Sequence, residues 1–143
     1  MESSSCRSSP TAPADFVVIY DTNFLVTLAG QNKRIPRARA LAFLAQHDGE
    51  AAYISRISAV EFAAGFDSAA HAARYLAPFT VLAVDDRIWD FATGIFRDLR
   101  RAGLRIGLPD TLIAATALDY GLPVVTDNAE HFKRVRGLKV YAF

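Results

Sequence analysis

Cysteine is nearly absent from this chain: Cys6 is the only one in 143 residues, and it sits in a serine-rich leader. An intramolecular disulfide and a cysteine-based zinc site are therefore excluded, and a reducing interior is the natural setting. The three histidines, His47, His71 and His131, are scattered, which removes the other usual material for zinc. No apolar run approaches the roughly 20 residues needed to span a bilayer. Met1 to Ala14 also lack an apolar signal-peptide core, so a cytoplasmic location with no membrane association is expected. A strong excess of charge of one sign is missing too. The formal net charge is +1, although arginine and lysine recur at 33–39, 97–105 and 133–139, so overall charge does not point to a nucleic-acid partner.

What is present is ordinary globular material. With 52% hydrophobic and 22% charged residues, the chain has enough apolar matter to bury one continuous core. The expected organisation is an N-terminal leader over 1–14 and a single domain over 15–143. Phe16-Val17-Val18-Ile19-Tyr20 is β-branched and aromatic without alternating polarity, which predicts a central strand buried on both faces. Asp21 ends it, and Thr22 or Asn23 can cap a short helix closed by Gly30. Further helices are predicted from Pro36 to Gly49, from Ser58, from Ser68 to Leu76, from Asp86 to Arg101 and from Pro109 to Tyr120. Short strands are predicted at Ala52 to Ile54, Thr80 to Val84, Val124 to Thr126 and Val140 to Phe143. Strands alternating with helices indicate a three-layer α/β fold whose mainly parallel sheet of four to five strands is flanked by helices.

In such a sheet, sites form beyond the carboxyl ends of the strands. Asp21 and Asp127 fall at such ends, and Asp110 and Glu61 fall in predicted first turns of helices directed to the same edge. Clustered carboxylates repel one another and are costly to desolvate, so four acids at one edge imply a compensating cation. Hard oxygen ligands favour magnesium or manganese. Each acid also has a plainer reading. Ser58-x-x-Glu61 matches a capping box, Asp110 suits the dipole of a helix start, and Asp127-Asn128 suits a turn. Asp21 is the hardest to explain structurally, because Thr22 or Asn23 already offers a cap.

Four stretches in order resemble a known set of motifs. Ile19-Tyr20-Asp21-Thr22-Asn23-Phe24-Leu25 is similar to the opening motif of PIN-domain nucleases. Ser58-Ala59-Val60-Glu61 resembles their second acidic motif, Gly107-Leu108-Pro109-Asp110-Thr111-Leu112-Ile113-Ala114-Ala115-Thr116-Ala117 their third, and Thr126-Asp127-Asn128-Ala129-Glu130-His131-Phe132 their fourth. The resemblance spans Phe16 to Phe143, and the small size makes the chain most similar to VapC-type toxins of toxin–antitoxin pairs. It implies a ribonuclease in which Asp21, Glu61 and Asp110 are ligands of Mg2+ or Mn2+, with Thr126 assisting through its hydroxyl and Asn23 orienting Asp21. The fourth acidic position departs from the pattern: many relatives carry an acid where this chain has Asn128, while the acid here is Asp127. Either residue can complete the site.

The chemistry implied is metal-assisted phosphodiester hydrolysis, which needs no serine or cysteine nucleophile, and no histidine is assigned a role. RNA would meet the basic side chains Lys33, Arg34, Arg37, Arg39, Arg97, Arg100, Arg101 and Arg105, although arginines on an amphipathic helix commonly form a solvated face. The resemblance further implies a cognate antitoxin and a homodimer, with Phe43, Leu44, Phe62 and Phe66 as surface candidates that core burial explains equally well. A haloacid-dehalogenase-like phosphotransfer domain would need an acid at position 23, where Asn23 stands. A response-regulator-like domain would need a lysine where Thr126-Asp127 stands. The remaining alternative is a catalytically inactive PIN-like module that binds RNA or protein.

Overall fold

The computed structural model describes residues 16–143; the expected leader over 1–14 lies outside the described residues. Five strands, β1 (Val18–Tyr20), β2 (Ala52–Ser55), β3 (Thr80–Leu82), β4 (Val124–Thr126) and β5 (Val140–Ala142), form one sheet in the order β3-β2-β1-β4-β5. Every pairing is parallel. Seven helices connect them among the described residues: α1 (Thr22–Leu28), α2 (Arg37–Gln46), α3 (Arg56–Ala64), α4 (Ala69–Leu76), α5 (Asp86–Arg101), α6 (Leu108–Tyr120) and α7 (Ala129–Phe132). None is long and apolar enough to cross a membrane.

The unbroken apolar character of β1 is explained by what covers it. Ile19 and Val124 join one core with Ile88, Ile95 and Leu99 of α5 and Leu112 and Ile113 of α6. Val18, Tyr20 and Val125 join a second core with Phe24 and Leu25 of α1, Ala40 of α2 and Phe62 of α3. Successive residues of a strand point to opposite faces, so a strand covered on both sides has no polar positions. α6 is buried nearly all round, as its composition predicts, and ends at Gly121 with φ of 68°, a left-handed conformation that strongly favours glycine.

Several boundaries differ from expectation. β1 begins two residues later than the apolar run, at Val18, and β3 ends at Leu82 rather than Val84. Ser58 does not start a helix: α3 starts at Arg56, and Ser55 caps it by accepting from the N–H of Ile57. Phe62 is fully buried. Phe43, Leu44 and Phe66 pack half-buried against the same core, so this aromatic group serves the interior. On α5, Phe91 is exposed, whereas Ile88, Ala92, Ile95 and Leu99 form the buried stripe.

Because β1 lies between β2 and β4, chain order reverses beside it. The strand ends of β1 and β4 therefore open on the topological switch point, where open parallel sheets hold their ligands.

Candidate active site

Asp21 follows the last residue of β1, and its backbone N–H donates to Val125 O of β4 at 3.1 Å, which fixes it between the two strands. It is 2% exposed. Its Oδ1 accepts from the N–H of Phe24 at 2.9 Å, so Asp21 itself is the N-cap of α1, the role expected of Thr22 or Asn23. Its Oδ2 accepts from Oγ1 of Thr126 at 2.6 Å. Thr126 in turn accepts from the N–H of Asn128 at 2.9 Å, so the end of β4 and the first residues after it are organised around one hydroxyl.

The other acids reach the same edge from different elements. Glu61 is in the second turn of α3, because that helix begins at Arg56; the capping-box reading of Ser58 and Glu61 is therefore wrong. Its Oε1 accepts from Oγ1 of Thr22 at 2.7 Å, while buried Ser58 lies 3.1 Å from the same hydroxyl. Asp110 stands in the first turn of α6, and its Oδ2 lies 3.2 Å from Nε2 of His131. Asp127 follows β4, and its Oδ1 accepts from Nδ2 of Asn23 at 3.2 Å. Asn23 thus holds Asp127, where the resemblance implied that it would orient Asp21. Asp21, Thr22, Asn23, Glu61, Asp110 and Asn128, walled by Phe132, line a cleft of about 170 Å³. A larger groove of about 630 Å³ runs along α5, lined by Phe91, Ile95, Leu99, Leu118 and Val135 together with Arg87, Arg134 and Arg136; it contains none of the four acids.

The electrostatics are those of a site short of positive charge. Burial pushes the Asp21 carboxyl up to about 7; the bonds from Thr126 and Phe24 oppose the rise, and the charges of Asp127 and Asp110 reinforce it. Asp110 is raised as well, mainly by burial and further by Asp127, while His131 acts to lower it. Among the described residues no lysine or arginine forms a salt bridge with Asp21, Glu61, Asp110 or Asp127. A buried carboxylate surrounded by acids and lacking a cationic side chain is the environment that a divalent cation relieves. The donors are hard oxygens, a set that fits Mg2+ or Mn2+. The described residues do not form a ready-made group of three or more acidic, histidine or cysteine ligands about one point.

Several of the anticipated RNA-contacting side chains are otherwise engaged. Arg37 Nε donates to Leu28 O at 2.7 Å, and Arg39 donates to Phe143 O and lies over the Phe143 ring. Both tie the fold together. Lys33, Arg34, Arg97, Arg100 and Arg105 are exposed. Arg101 is 4.0 Å from Asp98.

The features missed by sequence reasoning are Thr22 as the partner of Glu61 and His131 as the partner of Asp110. His131 was assigned nothing, yet it is the side chain that touches Asp110. Its position within the fourth motif, five residues after Thr126, was the only available signal.

Fold and site together define a parallel α/β domain with an acidic cleft at its strand switch point. The PIN domain profile matches residues 18–138, and the chain belongs to the PIN domain family. It is 35% identical over 100 residues to Ribonuclease VapC1 of Methanocaldococcus jannaschii, an alignment covering 65% of this chain and 71% of that protein. It is 40% identical over 63 residues to Ribonuclease VapC1 of Rickettsia felis, covering 43% of this chain and 46% of the relative, just under half its length. Its structure is similar to that of a chain in the crystal structure of VapBC2 from Rickettsia felis bound to a promoter DNA fragment. The TM-score is 0.71 over 89% of this chain and 98% of that chain, at 21% identity; this likeness is one of fold.

Proposed function

We propose that the chain is a divalent-metal-dependent ribonuclease that hydrolyses RNA phosphodiester bonds and acts as the toxin of a toxin–antitoxin pair. The observation that carries the reading is Asp21: a buried carboxylate at the switch point, raised to about 7 by burial and neighbouring acids, with no basic side chain bridged to it among the described residues. Such a group costs stability unless it serves a ligand. Similarity to two proteins named ribonuclease VapC1 supports the reaction class.

Asp21, Glu61, Asp110 and Asp127 are the residues that would hold Mg2+ or Mn2+. When bound, such an ion lowers the pKa of a coordinated water and neutralises charge on a phosphodiester oxygen. The work of the chain itself is positional. Thr126 holds Oδ2 of Asp21, Thr22 holds Oε1 of Glu61, and Asn23 holds Oδ1 of Asp127. Each carboxylate is thereby restrained before substrate arrives, which removes an ordering cost from the reaction. The acidic cleft repels RNA, so Lys33, Arg34, Arg97, Arg100 and Arg105 are proposed to meet the phosphates of the flanking strand.

A cognate antitoxin and a second copy of the chain are the protein partners proposed; the VapBC assembly of the structural relative supports the first. Purified protein should cleave RNA with Mg2+ or Mn2+, whereas Asp21→Asn and Asp110→Asn should each lose at least about a hundredfold, the scale on which electrostatic transition-state stabilisers act. Equal cleavage by all three proteins would refute the reading. Tight RNA binding without cleavage under any divalent ion would instead identify an inactive binding module.

A further inference from the structure

Three of the four acids are held by neutral donors: Asp21 by Thr126, Glu61 by Thr22 and Asp127 by Asn23. Asp110 differs, because its side-chain neighbour is an imidazole, with Nε2 of His131 3.2 Å from Oδ2. The contact joins the first turn of α6 to α7. His131 is itself well placed to act as a fixed arm. Its backbone N–H donates to Asn128 O at 3.1 Å, its ring meets the edge of the Phe132 ring at 81°, and Phe132 is almost completely buried. The Asp110 side chain is 36% exposed, so without the contact it would be free to sample several rotamers.

We propose that His131 is a positioning residue whose Nε2–H holds Oδ2 of Asp110, fixing that carboxylate in the cleft it shares with Asp21 and Glu61. The inference rests on the metal-site reading of that cleft. The neutral imidazole with its proton on Nε2 suffices, so the role requires no change of protonation. Partners that orient a carboxylate ligand typically contribute 10- to 100-fold to metal affinity. A packing histidine would contribute nothing of the kind.

The test is Mn2+ titration followed by electron paramagnetic resonance, with wild type, Asp21→Asn, His131→Ala, His131→Gln and His131→Leu compared, and thermal unfolding in EDTA measured alongside. His131→Ala should bind Mn2+ about 10- to 100-fold more weakly. His131→Gln, whose Nε2 can reach the same oxygen, should recover most of the affinity. His131→Leu, which keeps bulk beside Phe132 but has no N–H, should behave like alanine and stands in for it if alanine loosens α7. The proposal is overturned if alanine and leucine bind Mn2+ like wild type while Asp21→Asn does not, an outcome that leaves the metal site intact. Strong nitrogen hyperfine coupling lost on His131→Gln would overturn it in another way, by making His131 a ligand. Failure of wild type to bind more tightly than Asp21→Asn removes the metal-site reading, and the proposal with it.

Discussion

Asp21→Asn should stabilise the metal-free protein while abolishing its proposed function, and the size of the effect follows from the site. The carboxyl is raised from its ordinary 3.8 to about 7. Between those values the unfolded chain has released its proton and the folded chain still holds it. Wild-type stability therefore falls as pH rises through the window, by about 1.4 kcal/mol per unit, and levels off above pH 7. The full cost of ionising Asp21 in place is thus roughly 4 kcal/mol. Asparagine has no such cost and remains a good cap for the N–H of Phe24. Against this, its Nδ2 cannot accept from Oγ1 of Thr126 as Oδ2 of the carboxylate does, a loss of about 1 kcal/mol. The variant should be more stable by about 2–3 kcal/mol at pH 8, with most of that advantage gone by pH 5. Urea unfolding in EDTA at pH 5, 6, 7 and 8 measures it directly, and Mn2+ should restore wild type without affecting the variant. A difference in stability that does not change with pH, or a variant less stable at pH 8, would refute the reasoning that Asp21 is a buried charge awaiting a cation.

Three other substitutions probe separate links. Thr126→Val removes the donor to Oδ2 of Asp21 and the acceptor for the N–H of Asn128; it should cost about 1–3 kcal/mol in urea unfolding and reduce cleavage, and unchanged cleavage would mean that Asp21 needs no second restraint. Asn23→Ala frees Asp127 from an exposed contact; cleavage should fall about tenfold with unfolding within about 0.5 kcal/mol of wild type, and an unaffected rate would remove Asp127 from the site. Gly121→Ala imposes a side chain at φ of 68°; a loss of about 1 kcal/mol in thermal unfolding with unchanged cleavage is expected, and a neutral result would show that the end of α6 relaxes.

The doubly buried β1, the alternation of strands with helices, and α6 as an all-apolar helix were legible from local pattern, because burial on both faces removes polar positions along a strand and along a central helix. The start of α3 was misread by local pattern. Ser55 and Ser58 both satisfy the residue preference of a cap, and the choice depends on where β2 stops, which sheet pairing with β1 and β3 decides. Asp21 was not read as the cap of α1 because Thr22 and Asn23 are equally good caps; in the fold Thr22 turns to Glu61 and Asn23 to Asp127. Those pairings join residues 39 and 104 positions apart in the chain. Periodicity reports which face a residue is on and carries no information about which distant side chain it meets. His131 was overlooked for the same reason: its partner Asp110 lies beyond β4, on another helix.

The central claim is that the acids at the switch point hold a divalent cation used to cut RNA. Its most direct test follows one end-labelled RNA through three states of the same preparation: as purified with Mg2+ or Mn2+, after EDTA, and after the ion is returned in excess. Cleavage should be present, then absent, then restored, with Asp21→Asn inactive in all three states. Cleavage that persists in EDTA, or that Asp21→Asn retains at the wild-type rate, would contradict the account.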